Sequence, residues 1–552
     1  MNYEAPIKDL LFNIAHIAPG GADPEIAAAV LGEFGRFCAE EIAPLNASGD
    51  RAGSVCEAGA VRTAPGFRAA YGKFVAMGWQ SLSHPEAYGG QGLPRVIGAA
   101  ATEILNAANM SFALCPLLTD GAIEALSRFG SDTIRAHLRK LVSGTWTGTM
   151  NLTEPQAGSD LSLLRTRAEP QADGTYRITG TKIFITYGDH DLAENILHLV
   201  LARVPGAPAG VKGISLFLVP KVLPDGRRNR VTCQSLEHKL GVRASPTCVM
   251  EFDGAEAELV GAENAGLEQM FAMMNAARFA VGVQGVAIAD RAYQQALAYA
   301  RTRLQGRPVD GSATGPVAIL QHPDIRRLLG QMRARTEACR ALVAYGAGIP
   351  DAALADYLVP LVKGYCTEMA LLTTSDAVQV HGGMGFIEET GVAQHYRDAR
   401  ILPIYEGTTA IQANDLLSRK TLRDKGAMAE RLSAHIAVTE ADLHEIGQTE
   451  IATRLAAARA DFGAATAYLL TAPPDAAHAG AVPYLMLAGN LVAGWQMARA
   501  AVAATEAIAD DPAFMSAKIA TARFYAAHHL SETALQHRRI LEGADCLLKL
   551  TF

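Results

Sequence analysis

The chain has 552 residues, 49% hydrophobic and 19% charged, with a formal net charge of -7. That length calls for several cores, and the composition excludes a disordered chain. The modest charge, with no basic block, argues against a nucleic-acid partner.

Residues 1–150 carry Ala and Leu at helical spacing, broken by the loop SHPEAYGGQGLP at 83–94. The opening stretch has Glu4 and Asp9 and no basic run, so it does not read as a signal peptide. Over 151–265 the pattern turns to strands. Asp173–Gly174 signals a hairpin, and GISLFLVPK (213–221) and PTCVMEFDG (246–254) are short β-rich runs. From Gly266 to about Gln305 a proline-free stretch predicts one helix, about 58 Å long at 1.5 Å per residue. Further helices reach the charged joint SRKTLRDKG (418–426), and an Ala-rich helical block follows. Residues 481–504 come nearest to a membrane span. Pro483, Asn490, Gln496 and Arg499 interrupt them, so a buried bundle helix is expected. The expectation is an α+β chain of four domains: N-terminal helical (1–150), middle β (151–265), C-terminal helical bundle (266–425) and an appended helical domain (426–552). Eight scattered cysteines without a C-x-x-C pair suggest a reducing, cytoplasmic setting.

Several familiar sites are missing from the sequence. GGQGLP and HGGMGF both lack the third glycine of a dinucleotide fingerprint, and no Walker A loop, H-E-x-x-H or G-x-S-x-G occurs. Asp189, His190, Asp191 and Glu194 follow a predicted strand and read as a polar loop, so no metal is expected. Two stretches remain. In NLTEPQAGSDLS (151–162), Thr153, Gly158 and Ser159 offer hydroxyls and an approachable backbone that suit a heteroaromatic ring and a phosphate. The same stretch reads equally as an interdomain loop. In ILPIYEGTTAIQ (401–412), Glu406 stands just before a helix start. It can balance the helix dipole, or act as a base in a dry pocket where desolvation raises its pKa.

Together, NLTEPQAGSD, KIFITYGD (182–189), HGGMGF (381–386) and YEGTTAIQ (405–412) resemble the acyl-CoA dehydrogenase family. The likeness runs over about 1–420, and the last block resembles the family's longer branch with an extra helical domain. The resemblance implies an N-terminal helical domain, a middle β-domain and a four-helix bundle, with FAD held between them. It implies α,β-dehydrogenation of an acyl-CoA to a trans-2-enoyl-CoA. Glu406 would remove the α-proton while a β-hydride passes to flavin N5. Some relatives place the base on a long helix instead, but Ala277 in MNAARFA offers no carboxylate there. Thr153, Gly158, Ser159, Phe184, Thr186 and Thr408 would contact FAD. Arg303, Gln379 and Gly383 would reach the FAD of a neighbouring subunit. Ser159, Arg278, Tyr405 and Gly407 would line the acyl-CoA. Electron-transferring flavoprotein is the implied acceptor; short family members are tetramers, but the apolar helical stripes of 430–552, such as 455–470, would cover the bundle's outer face and so point to a homodimer. An oxidase using O₂, or a non-redox acyl-CoA- or flavin-binding scaffold, are the alternatives.

Overall fold

The protein is described here by a computed structural model covering residues 3–552. It divides into two compact units, one built on Glu33–Ala280 and the other on Pro6–Gly32 with Val281–Phe552.

The first unit joins helices to a β-sheet. Its longest helical stretch, Arg95–Phe129, is broken at Asn109, whose backbone is extended (φ -161, ψ 98). The Asn109 side chain accepts a hydrogen bond from Phe112 N (3.1 Å), so it caps the second half of the stretch. Among the described residues there are nine strands, in chain order β1 Val55–Glu57, β2 Ala60–Arg62, β3 Trp146–Asn151, β4 Arg167–Pro170, β5 Tyr176–Thr186, β6 Asn195–Ala202, β7 Ser215–Pro220, β8 Val231–Leu236 and β9 Thr247–Val260. The β1–β2 hairpin had no signal in the sequence reading, and β3 begins five residues before the expected change of character at 151. The seven later strands form one sheet, ordered β3-β6-β7-β9-β5-β4, with β8 also paired to β9. Only the β3–β6 pair is parallel. The Asp173–Gly174 hairpin forms as read, with Gly174 at φ +82 and Gln171 N bonded to Thr175 O (2.9 Å).

β6 and β7 show why ILHLVLA and SLFLVP are almost wholly apolar. Leu197, Leu199, Leu201, Leu216 and Leu218 enter one core with Leu117, Leu126 and Leu138. The alternate residues Val200, Ala202, Phe217 and Val219 enter a second core with Ile178, Met250 and Phe252. Strands covered on both faces carry no polar face.

The second unit is helical. Ala481–Glu506 runs through its centre and packs on Pro323–Gly348, Ala352–His381, Thr449–Leu469, Pro512–His528 and Glu532–Leu548. Leu485, Leu491, Val492 and Trp495 are buried there, as a bundle helix requires. Glycines bring the appended helices close to the bundle. A Cβ on Gly330 would lie 2.9 Å from the Phe524 ring, and one on Gly489 only 2.4 Å from Tyr365. A charged cluster adds to this packing. Lys518 donates to Asp9 and Glu337 (both 2.7 Å), and Arg340 to Asp9 (2.6 Å) and Asp290 (2.8 Å). Among the described residues one helix, Gly266–Thr302, is long and apolar enough to cross a membrane. Within the protein, 61% of its most apolar window is buried.

Candidate active site

The candidate residues fall into two groups, one in each unit. In the first, the loop after β3 is fastened to β5 by a buried ion pair. Lys182 is fully buried and donates to Glu154 (2.9 Å) and to Leu152 O (3.0 Å). Glu154 also accepts from Arg165 N (2.7 Å), Thr166 N (3.0 Å) and Thr166 Oγ1 (2.6 Å). Burial alone would raise the Glu154 pKa, but the Lys182 charge and these donors hold it down at about 2. Burial pushes Lys182 the other way from its partner's pull, down to about 8.

Ile183 N bonds to Thr153 O (2.9 Å), placing Thr153 beside the irregular end of β5. The register there shifts between Lys182 and Ile185, and Phe184 takes φ +60. A left-handed backbone is costly for a bulky residue, so a position holding one is a functional candidate. Phe184 is 58% exposed, an apolar ring turned outward, with Thr186 two residues on. Gly158 and Ser159 lie exposed on the clamped loop. A flat aromatic face beside several hydroxyls suits an isoalloxazine ring and its polar edge.

Arg278 belongs to the same unit. It is buried and donates to Asn275 Oδ1 (3.4 Å). Asp189 and His190 are buried as well. Asp189 pairs with Lys221 and accepts from Val61 N (3.3 Å), and His190 bonds Thr147 Oγ1 (3.0 Å). Among the described residues no group of His, Cys, Asp and Glu is placed to hold a metal.

The second group centres on Glu406, which takes φ +53, followed by Gly407 at φ +88. Two successive left-handed residues reverse the chain just before the helix Thr409–Asn414. The reversal is closed by Tyr405 N to Ile401 O (3.1 Å) and Thr409 N to Pro403 O (3.0 Å). Its carbonyls are held from behind. Lys363, fully buried on Ala352–His381, donates to Gly407 O (2.6 Å). Gln412 Nε2 donates to Glu406 O (3.1 Å) and Gly407 O (3.3 Å). A Cβ on Gly407 would lie 2.8 Å from that same Gln412 nitrogen, so glycine is required there by conformation and by space. Thr408 caps the helix through its bond from Ile411 N (3.3 Å). The half-buried Tyr405 donates its hydroxyl to Gln284. Burial first, then the Glu406 charge, drives the Tyr405 phenol far above its ordinary value, so it stays protonated.

Arg303, Gln379 and Gly383 are all exposed on this unit. The rings of Tyr299, four residues before Arg303, and His381, two residues from both Gln379 and Gly383, stack at 4.3 Å and draw their segments together.

The left-handed Glu406 and the outward-facing Phe184 are the two strained positions that the candidate residues share. The comparisons agree on the family. Residues 25–145, 149–255 and 264–421 match the N-terminal, middle and C-terminal domains of acyl-CoA dehydrogenase, and 428–551 match an acetyl-CoA dehydrogenase C-terminal-like domain. The chain belongs to the acyl-CoA dehydrogenase family, oxidoreductases acting on a CH–CH bond. It is 57% identical to the 3-methylmercaptopropionyl-CoA dehydrogenase of Ruegeria pomeroyi, over 99% of each chain. To the broad-specificity linear acyl-CoA dehydrogenase FadE5 of Mycobacterium tuberculosis it is 34% identical, over 99% of this chain and 98% of that one. An acyl-CoA dehydrogenase from Bacillus anthracis complexed with FAD shares the fold. Its TM-score is 0.74 at 21% identity, over 96% of this chain and 90% of that one.

The sequence reading overlooked Lys182, Lys363, Gln284 and Gln412. For Lys363 and Gln284 the signal is a polar residue inside an apolar run, as in LVPLVKGYC and AVGVQGVA. Such a residue is buried only when paired.

Proposed function

We propose that the chain dehydrogenates a short acyl-CoA carrying a thioether at its β-carbon, 3-methylmercaptopropionyl-CoA, with Glu406 as the base. The substrate reading rests on the 57% identity over full length. The observation that carries the role of Glu406 is its left-handed backbone, held on both sides by buried polar groups.

A thioester α-C–H is a very weak acid, so the base must meet it at a fixed distance and with little water. Lys363 and Gln412 hold the carbonyls at 406 and 407, which fixes the Cα from which the Glu406 carboxylate projects. Tyr405 remains a neutral donor and leaves Glu406 to take the proton. Thr153, Ser159, Thr186 and the Phe184 ring would hold the flavin. FAD, when bound, supplies the acceptor for the hydride that leaves the β-carbon with both electrons of its C–H bond. The α-proton stays on Glu406, and the α-C–H electrons become the new double bond. Electron-transferring flavoprotein would be the final acceptor of the electrons.

The assembly is a homodimer. Met384, Phe386 and Ile387 are exposed apolar residues beside Gly383, and the appended helices cover a bundle face through Phe524 and Lys518. Anaerobic titration with a panel of acyl-CoAs tests the chemistry. Flavin absorbance should bleach most readily with 3-methylmercaptopropionyl-CoA, and a flavin that no acyl-CoA reduces would end the reading. Light scattering tests the assembly, where a tetramer would refute the dimer alone.

A further inference from the structure

Gln284 is a polar side chain with no exposure, set among Val281, Val283 and Val286 on the helix Gly266–Thr302. An unpaired amide in that company would cost stability, so its bonds decide what it is for. One of them is to the base loop: the Tyr405 hydroxyl donates to Gln284 Oε1.

The helix is not free to turn that amide elsewhere. Gly282 and Gly285, three residues apart and so on one face, bring it hard against Ala352–His381. A Cβ on Gly282 would lie 2.4 Å from Val362 Cγ1, and one on Gly285 would lie 2.7 Å from Cys366 O. Side chains larger than hydrogen would push the helices apart at both points. At 100° per residue, Gln284 projects well away from the glycine face, toward the base loop. The next residue after Val362 is Lys363, whose ammonium holds Gly407 O (2.6 Å). The two helices locked together by glycines therefore grip the loop on either side of Glu406. One takes the side chain before it and the other the carbonyl after it.

We propose that Gln284 is a positioning residue for the base, acting through Tyr405. This rests on the reading of Glu406 as the base. By accepting from Tyr405, the amide fixes that ring against the helix. With the ring fixed, Glu406 is kept in its left-handed conformation without solvent or substrate having to hold it. A neutral amide suits this task, since a cation there would hold the Glu406 carboxylate in an ion pair and lower its basicity. A loosened Tyr405 would leave the loop closed by its backbone bonds but let the carboxylate wander, which affects the chemical step more than binding.

The test is stopped-flow flavin reduction in the absence of oxygen, using 3-methylmercaptopropionyl-CoA or butyryl-CoA, whichever bleaches the wild-type flavin faster. Gln284→Met keeps the volume and removes the carbonyl, and Tyr405→Phe removes the donor. Each should slow the limiting reduction rate about tenfold, with the half-saturating concentration moved less than about threefold. The double variant should be no slower than the slower single, because both remove one bond. A wild-type rate in Gln284→Met, multiplying effects in the double variant, or a change in half-saturation alone would overturn the proposal. If Gln284→Met loses its flavin, Tyr405→Phe decides by itself, and a normal rate there overturns it. Glu406→Gln is measured alongside. Were that variant to reduce normally, the base assignment would fail. Were it slow while Gln284→Met ran normally, only the positioning role would fail.

Discussion

The loop after β3 and the loop bearing Glu406 solve one problem with different chemistry. Each fixes a side chain at positive φ, Phe184 at +60 and Glu406 at +53, and each uses a fully buried lysine to do so. Lys182 is neutralised by Glu154, so its loop is held by a charge pair with a ring of backbone donors. Lys363 instead donates to the carbonyl of Gly407, with Gln412 beside it. A charge pair is the stronger of these two holds.

Glu406→Gln should break the second loop's function and spare the first. Flavin reduction by acyl-CoA is expected to slow about 10³-fold or more while FAD stays bound, read by stopped flow and by absorbance after denaturation. Next in size, Lys182→Met leaves Glu154 buried with no cation, and about 3–5 kcal/mol of stability should go in chemical denaturation, together with FAD retention. Lys363→Met leaves a carbonyl that Gln412 still serves, so about 1–3 kcal/mol is expected. Equal losses for the two lysines would erase the contrast drawn between the loops. Acid should separate them too. Glu154 is held from its ordinary 4.5 down to about 2, so its contribution is complete above pH 4.5 and is lost as pH falls through 2. Glu154→Gln should flatten that limb of the stability curve. The smallest effect belongs to Thr408→Ala, which removes one cap and should cost about 1 kcal/mol in the same assay.

What the sequence disclosed was local. Asp173–Gly174 announced its hairpin, the β-rich runs at 213–221 and 246–254 announced β7 and β9, and Gly266–Thr302 formed as one helix from a stretch without proline. Glu406 stood out because YEGT is a short motif. What stayed hidden were partners chosen across long separations: Lys182 for Glu154, 28 residues on, Lys363 for Gly407, 44 apart, and Gln284 for Tyr405, 121 apart. Periodicity reports which face of an element is buried, not which polar group waits on the other side of the core.

The cluster around Asp9 sets a clock on the growing chain. Asp9 lies on Ile7–His16, and its partner Lys518 is 509 residues further along. At about 5–20 residues per second the ribosome needs roughly 25–100 s to deliver that partner. Burial would raise Asp9, but Lys518 and Arg340 outweigh it and bring the carboxyl to about 2, so its place in the fold depends on both cations. A ten-residue helix is marginal by itself in water, so until Arg340 and then Lys518 arrive Ile7–His16 lacks the charges that hold Asp9 in the fold. The helical unit is therefore completed only at the end of synthesis, when Leu10, Phe12 and Ile14 can be buried within it.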